Sequence, residues 1–240
     1  MRFRWMLVLL VGIVFALAPA TGFTKYKYIY SGFLSDYSKI KPNPGGSYTD
    51  ESGIAFLYKK EGSDLKKYNK ILLDRVVFFF KPDAKYKGIN PDEMKALADT
   101  FHQAFRETIG KEYPIVQEPG LDVLRIRTAL TEVVPTQPAL NTITSIPGVH
   151  LLSTAKRVTT GVHAYVAEAT LEAEFLDSKS NEQLVALLDR RGSPKEKISK
   201  GMTKWGQIQI VFEEWGRLMQ QMLDEAHGKP VKGIYEPINK

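Results

Sequence analysis

The chain has 240 residues, 43% hydrophobic and 25% charged, with a formal net charge of +6 and no cysteine. These proportions are those of a globular protein large enough to build a core. The lack of cysteine excludes a thiol nucleophile, a zinc–thiolate centre, a redox pair and lipid attachment at a cysteine. The basic residues are dispersed in pairs such as Lys59-Lys60, Lys66-Lys67 and Arg190-Arg191. That pattern reads as a solvated surface, with at most weak, peripheral attraction to an anionic membrane, and not as a nucleic-acid interface.

Arg2 and Arg4 make a short positive N-terminal region, Trp5 to Ala18 is free of charge, and Ala18-Pro19-Ala20 places small residues before a cut near Ala20. The apolar run is shorter than the ~20 residues that cross a bilayer. A cleaved secretion signal over residues 1–20 is therefore expected, with a retained anchor as the alternative. The working chain is then expected in the periplasm or outside the cell.

Residues 21–62 form an arm rich in Tyr, Pro and Gly. Tyr26, Tyr28 and Tyr30 alternate, which permits a short strand, and Lys41-Pro42-Asn43-Pro44-Gly45-Gly46 is a turn or loop. The arm is expected to lay an aromatic surface over one α/β domain spanning 63–228, with a loosely held tail over 229–240. Within the domain, Ile71 to Phe80 is apolar on both faces from Val76 and reads as a buried central strand. Asn90 caps a helix with Pro91 at its first position and Asp92 and Glu93 in its first turn. Its stripe of Met94, Leu97, Ala98, Phe101, Phe105 and Ile109 ends at Gly110.

Tyr113 to Glu118 reads as a short strand and Asp122 to Val134 as a longer one, with Leu124, Ile126, Thr128 and Leu130 on one face and Arg125 and Arg127 on the other. Pro135 to Gly161 has no readable period and is either partly helical or a functional loop. Val162 to Asp177 alternates again, with Glu168, Thr170, Glu172 and Glu174 on one face, and Glu182 to Asp189 returns as its hairpin partner. Asn181 in the turn tolerates the left-handed region. A last helix over 203–226 carries a stripe of Trp205, Ile208, Phe212, Trp215, Leu218, Met219, Met222 and Leu223, expected to be core.

No catalytic motif stands out. There is no nucleophile elbow, P-loop or dinucleotide fingerprint, and His102, His150, His163 and His227 show no metal-ligand spacing. Glu168, Glu172 and Glu174 are weak candidates for a cation site; the plainer reading is exposed cross-strand pairing with Arg125 and Arg127. Asp74 and Asp177 read as structural, Asp177 as a turn former bonding its own backbone. Tyrosines present apolar area together with a hydroxyl, so Tyr26, Tyr28, Tyr30, Phe33 and Tyr37 are the candidate partner surface.

Ser31-Gly32-Phe33-Leu34-Ser35-Asp36-Tyr37, the strand Leu73-Asp74-Arg75-Val76, the hairpin Glu172 to Ser178 with its return to Asp189-Arg190-Arg191, and the Trp205…Phe212…Trp215 helix form a set. Together they resemble a bacterial family of exported, mostly lipid-anchored proteins catalogued as a domain of unknown function (DUF three-three-one-three). The resemblance implies an envelope location and no known reaction; this chain lacks the family's lipid-accepting cysteine. The expected fold is α+β, sandwich-like: a single mixed, mainly antiparallel sheet with two main helices packed on one face. The expected function is that of a non-catalytic, exported envelope protein acting as a binding or assembly module, with an envelope protein as partner and no cofactor. The alternative is a periplasmic ligand-binding protein or hydrolase using 135–161 as a lid.

Overall fold

The computed structural model describes residues 28–44, 46, 53–80, 82, 84, 89–134, 167–193 and 205–230. Residues 1–20, expected to be a signal, Tyr26, the 135–161 stretch, His150, His163 and the residues beyond 230 lie outside the described residues.

The elements are β1 (Lys41–Pro42), β2 (Phe56–Lys59), β3 (Lys70–Leu73), β4 (Val77–Phe78), α1 (Pro91–Glu107), α2 (Ile109–Glu112), β5 (Val123–Val134), β6 (Glu168–Asp177), β7 (Gln183–Gly192) and α3 (Ile208–Ala226). The strands form one sheet in the order β1-β2-β7-β6-β5-β3, with β4 also paired to β5. The β3 and β4 pairings are parallel and the rest antiparallel. The fold is thus the mixed, mainly antiparallel α+β sheet expected. A parallel pair needs a long crossover, and α1 and α2 supply it between β4 and β5.

Local chemistry sets the boundaries. At the start of α1, the Asn90 side chain accepts from the Glu93 amide at 2.9 Å and Glu93 accepts from the Asn90 amide at 3.2 Å, a complete capping box. The β6–β7 turn runs through Asn181 at φ 59°, the left-handed conformation that Asn adopts at little cost. The Asp177 carboxylate accepts from the Lys179 and Ser180 amides at 3.0 and 2.9 Å, as its turn position predicts.

Both main helices pack on one face of the sheet. Phe101 and Phe105 of α1, and Phe212, Trp215 and Met219 of α3, bury against Leu124, Ile126 and Leu130 of β5, Leu171 and Phe175 of β6, and Leu187 of β7. Phe101 stacks on Phe105 at 4.3 Å and meets Phe212 edge-on at 5.1 Å. Buried Asp189 links the layers, accepting from the Ala55 amide at 3.1 Å, Trp215 Nε1 at 2.8 Å and Arg191 Nε at 2.7 Å.

Four expectations are corrected. Ile71–Phe80 is not one central strand. It is two short pieces at the sheet margin, and Val77 and Phe79 are 40% and 44% exposed. The Asp74 amide still donates to Ile126 O at 3.0 Å, and the ladder breaks at Val76, whose amide turns away to His102 Nε2 on α1, at 3.2 Å. Tyr113–Glu118 contributes a single bridge, Ile115 to Ile71, since Pro114 has no amide to continue a ladder. Tyr28–Tyr30 is unpaired, whereas Phe56–Lys59, expected within the arm, is a full strand beside β7. Finally, α1 stops at Glu107, and Gly110 lies inside α2 rather than ending the longer helix.

Candidate binding face

The second face of the sheet carries the carboxylates read as exposed. Glu172 and Glu174 are instead fully buried, because the arm lies across them. Glu172 Oε1 accepts from the Ser31 amide at 3.0 Å and from Tyr28 at 3.1 Å. Its Oε2 accepts from Ser31 Oγ at 2.7 Å and from the Tyr37 hydroxyl. Glu174 accepts from the Ser35 amide at 3.0 Å, Ser35 Oγ at 3.1 Å, Gln183 Nε2 at 2.9 Å and Arg127 Nη1. A buried carboxylate is tolerated only when its lone pairs are met by donors, and here the arm supplies them. Of the expected pairings with Arg125 and Arg127, only Glu174–Arg127 forms; Glu168 pairs with Arg190 instead. Among the described residues no group of three or more His, Asp or Glu is arranged to hold a metal ion.

The arm has its own small core. Leu34 is buried against Ala186 and Leu188 of β7, with Tyr28, Phe33, Tyr37, Ile40, Phe56 and Tyr58 packed around it. Gly32, at φ 96°, makes the turn that a side chain would resist. The Gly32 and Leu34 amides both donate to the Tyr37 hydroxyl at 3.0 Å. Burial, then the hydrogen bond to Glu172, push the Tyr37 phenol up, so it stays a donor. Three of the aromatics read as a partner surface, Tyr28, Phe33 and Tyr37, therefore turn largely inward. Tyr30 stays 48% exposed, beside Ile29 at 39%.

The arm covers β6, β7 and β2 and leaves the β5 and β4 half open. A groove of about 330 Å³ runs there, lined by Phe33, Asp74, Arg75, Val77, Arg125 and Arg127, among others. Arg125 forks onto Asp74 through Nε at 3.0 Å and Nη2 at 2.7 Å, and its Nη1 donates to Asn181 at 2.9 Å. Arg127 lies 5.0 Å over the Phe33 ring and 3.9 Å from Asp74. Arg75 is exposed and, among the described residues, makes no hydrogen bond or ion pair. Phe79 borders the groove, its ring 6.4 Å from that of Phe33. Of the exposed large apolar side chains among the described residues, Val77 lines this groove and Phe79 borders it, Ile29 and Tyr30 stand on the arm, and Leu121 lies in the loop before β5.

Residues 29–219 match the family described as Protein of unknown function (DUF3313). The chain belongs to the DUF3313 family. It is also similar to two crystal structures of PelC dodecamers from Paraburkholderia phytofirmans, at 11% and 9% identity. The likeness covers 73% and 72% of this chain and 98% of each of those, with TM-scores of 0.35 and 0.34. No curated protein matches the sequence.

In this DUF3313 protein the open groove was not legible as a site. By sequence pattern Arg125 and Arg127 are cross-strand partners of the glutamate row, and Arg75, Val77 and Phe79 are parts of a buried strand. The available signal was Pro82, just past the apolar run, which favours a margin over a sheet centre.

Proposed function

We propose that this DUF3313 protein is a non-catalytic, exported cell-envelope protein that works as a binding or assembly module, with the open half of its outer face as the contact surface. The observation that carries the reading is the pair of exposed apolar side chains Val77 and Phe79 beside a groove lined by Arg75, Arg125 and Arg127. Isolated exposed apolar residues need no explanation, but a contiguous group rimmed by polar residues marks an interaction site. Export is supported by the charged start, the apolar run and the small residues at Ala18 and Ala20. Among the described residues no helix is long and apolar enough to cross a membrane.

The test is co-purification of the tagged chain from cross-linked cell envelopes, beside a Phe79→Asp variant. One dominant partner is expected, lost or strongly reduced in the variant. A chain that runs as a lone monomer, or a partner retained equally by Phe79→Asp, removes the support for this surface.

A further inference from the structure

We infer that the occupant of the groove is an extended, acidic and apolar segment of a partner protein, with a carboxylate on Arg75 and apolar side chains on Val77 and Phe79. This rests on the reading of the chain as a binding module and adds the chemistry of what it binds.

Charge is the first reason. Arg75, Arg125 and Arg127 line the groove against one lining carboxylate, Asp74. Asp74 is engaged by the Arg125 fork, and Glu174 below is engaged by Arg127, Ser35 and Gln183. Positive charge is therefore left over, and it sits on Arg75, which among the described residues makes no hydrogen bond or ion pair and acts on Asp99 of α1 only through space. A guanidinium stays charged at any physiological pH and offers a planar pair of donors suited to a carboxylate. The two neighbouring arginines are held by Asp74, Asn181, Glu174 and the Phe33 ring. They form a fixed cationic wall, which lowers the ordering cost of binding.

Spacing is the second reason. Arg75, Val77 and Phe79 are all exposed, while Val76 is buried toward α1 and Phe78 and Phe80 are only partly exposed. Alternate residues of an extended chain stand about 7 Å apart on one face. A row of one cation and two apolar groups at that step is matched by an extended segment carrying an acid followed by apolar residues at the same step. The Phe79 amide donates to Leu130 O at 3.0 Å. In a parallel ladder only alternate residues bond the same neighbour, so the Phe78 amide points away from β5.

The test uses the purified chain and a fluorescein-labelled peptide, Ser-Glu-Ser-Leu-Ser-Leu-Ser, read by fluorescence anisotropy. The comparisons are its Gln-for-Glu counterpart and vesicles of phosphatidylglycerol. Saturable binding of the Glu peptide is expected, weakened roughly tenfold by Arg75→Glu, which removes one exposed attraction and adds a repulsion. Lys111→Glu, an exposed charge on α2, is expected to leave binding unchanged. Circular dichroism confirms that both variants fold. Absence of saturable binding, equal binding of the Gln peptide, unchanged binding by Arg75→Glu, or retention on the vesicles instead of the peptide would each overturn the inference. If cross-linking still captures a dominant partner with Arg75→Glu at the wild-type level, this inference fails while the binding-module reading stands. If the wild-type chain captures none, it is that reading which fails.

Discussion

Replacing Glu172 by alanine removes the acceptor on which the arm is docked. The carboxylate is fully buried and receives four hydrogen bonds, from Tyr28, from the amide and hydroxyl of Ser31, and from Tyr37. Hydrogen bonds to charged groups contribute about 1.5–3 kcal/mol each when measured by deletion, so a simple sum would exceed anything an arm of this size can lose. The donors do not stay buried, however. Once the acceptor is gone the arm lifts and water meets them, which caps the loss at the free energy of docking. Leu34 and its aromatic neighbours still hold the arm, so about 2–4 kcal/mol of local stability should disappear.

Amide hydrogen exchange reads this directly. Exchange at the Ser31 and Ser35 amides, which bond Glu172 and Glu174, should speed up by roughly 30- to 1,000-fold in Glu172→Ala. Exchange in the centre of β6 and β7 should change far less. Glu172→Gln keeps one acceptor oxygen and should fall between the parent and the alanine variant. Two results would refute the reasoning. One is an unchanged Ser31 amide, meaning the carboxylate does not hold the arm. The other is equal acceleration in the arm and the sheet, meaning the arm is not a separate cooperative unit.

Three further outcomes are expected. A Cβ on Gly216 would stand 1.9 Å from Thr108 Oγ1 and 3.0 Å from Thr108 Cβ. Gly216→Ala should therefore destabilise by about 1–3 kcal/mol despite its helix propensity. Adding Thr108→Ala should restore much of that in urea melts; no restoration would mean that the α1–α3 approach is not the cause. The amide of Ser180, together with Tyr68 and Lys67, holds the Asp177 carboxyl well below its usual range. The unfolded chain then protonates first, so this contribution is present above pH ~4 and is lost as pH falls. Asp177→Asn should flatten the acid limb of stability, and an unchanged limb would count against it. Burial, then the cations Arg106 and Arg75, push the His102 imidazole down, while Asp99 opposes them. Its neutral Nε2 accepts from the Val76 amide at 3.2 Å. As pH falls below about 6.5 the unfolded chain gains a proton before the folded one does, so stability drops. His102→Gln should reduce the difference between urea midpoints at pH 7 and pH 5, and an equal difference would exclude His102 as its source.

Periodicity carried the elements whose two faces meet different surroundings. The stripes of α1 and α3 and the alternation of β5 and β6 each have one apolar face against the helical layer, so their chemistry is written residue by residue. Asn90, Pro91 and Asn181 placed a helix start and a hairpin turn, since caps and left-handed turns depend on neighbours in sequence. Pattern failed where the partner was distant. The run from Val76 to Phe80 is apolar throughout, and only the sheet order, with β3 at its edge, and the diversion of the Val76 amide to His102 show that it lies at the sheet margin.

The same distinction separates what the sequence determined from what tertiary structure decided. Helix faces, strand alternation and the class of fold follow from local spacing, because burial of an apolar stripe is demanded whatever the partner is. The fate of Glu172 and Glu174 does not follow. An alternating row of carboxylates reads as solvated until donors from Ser31, Ser35 and Tyr37, more than a hundred residues away in the chain, close over it. Where that arm ends its cover is also where Arg75, Val77 and Phe79 stay open. A residue's exposure depends on what folds onto it, and that is set by contacts no local window contains.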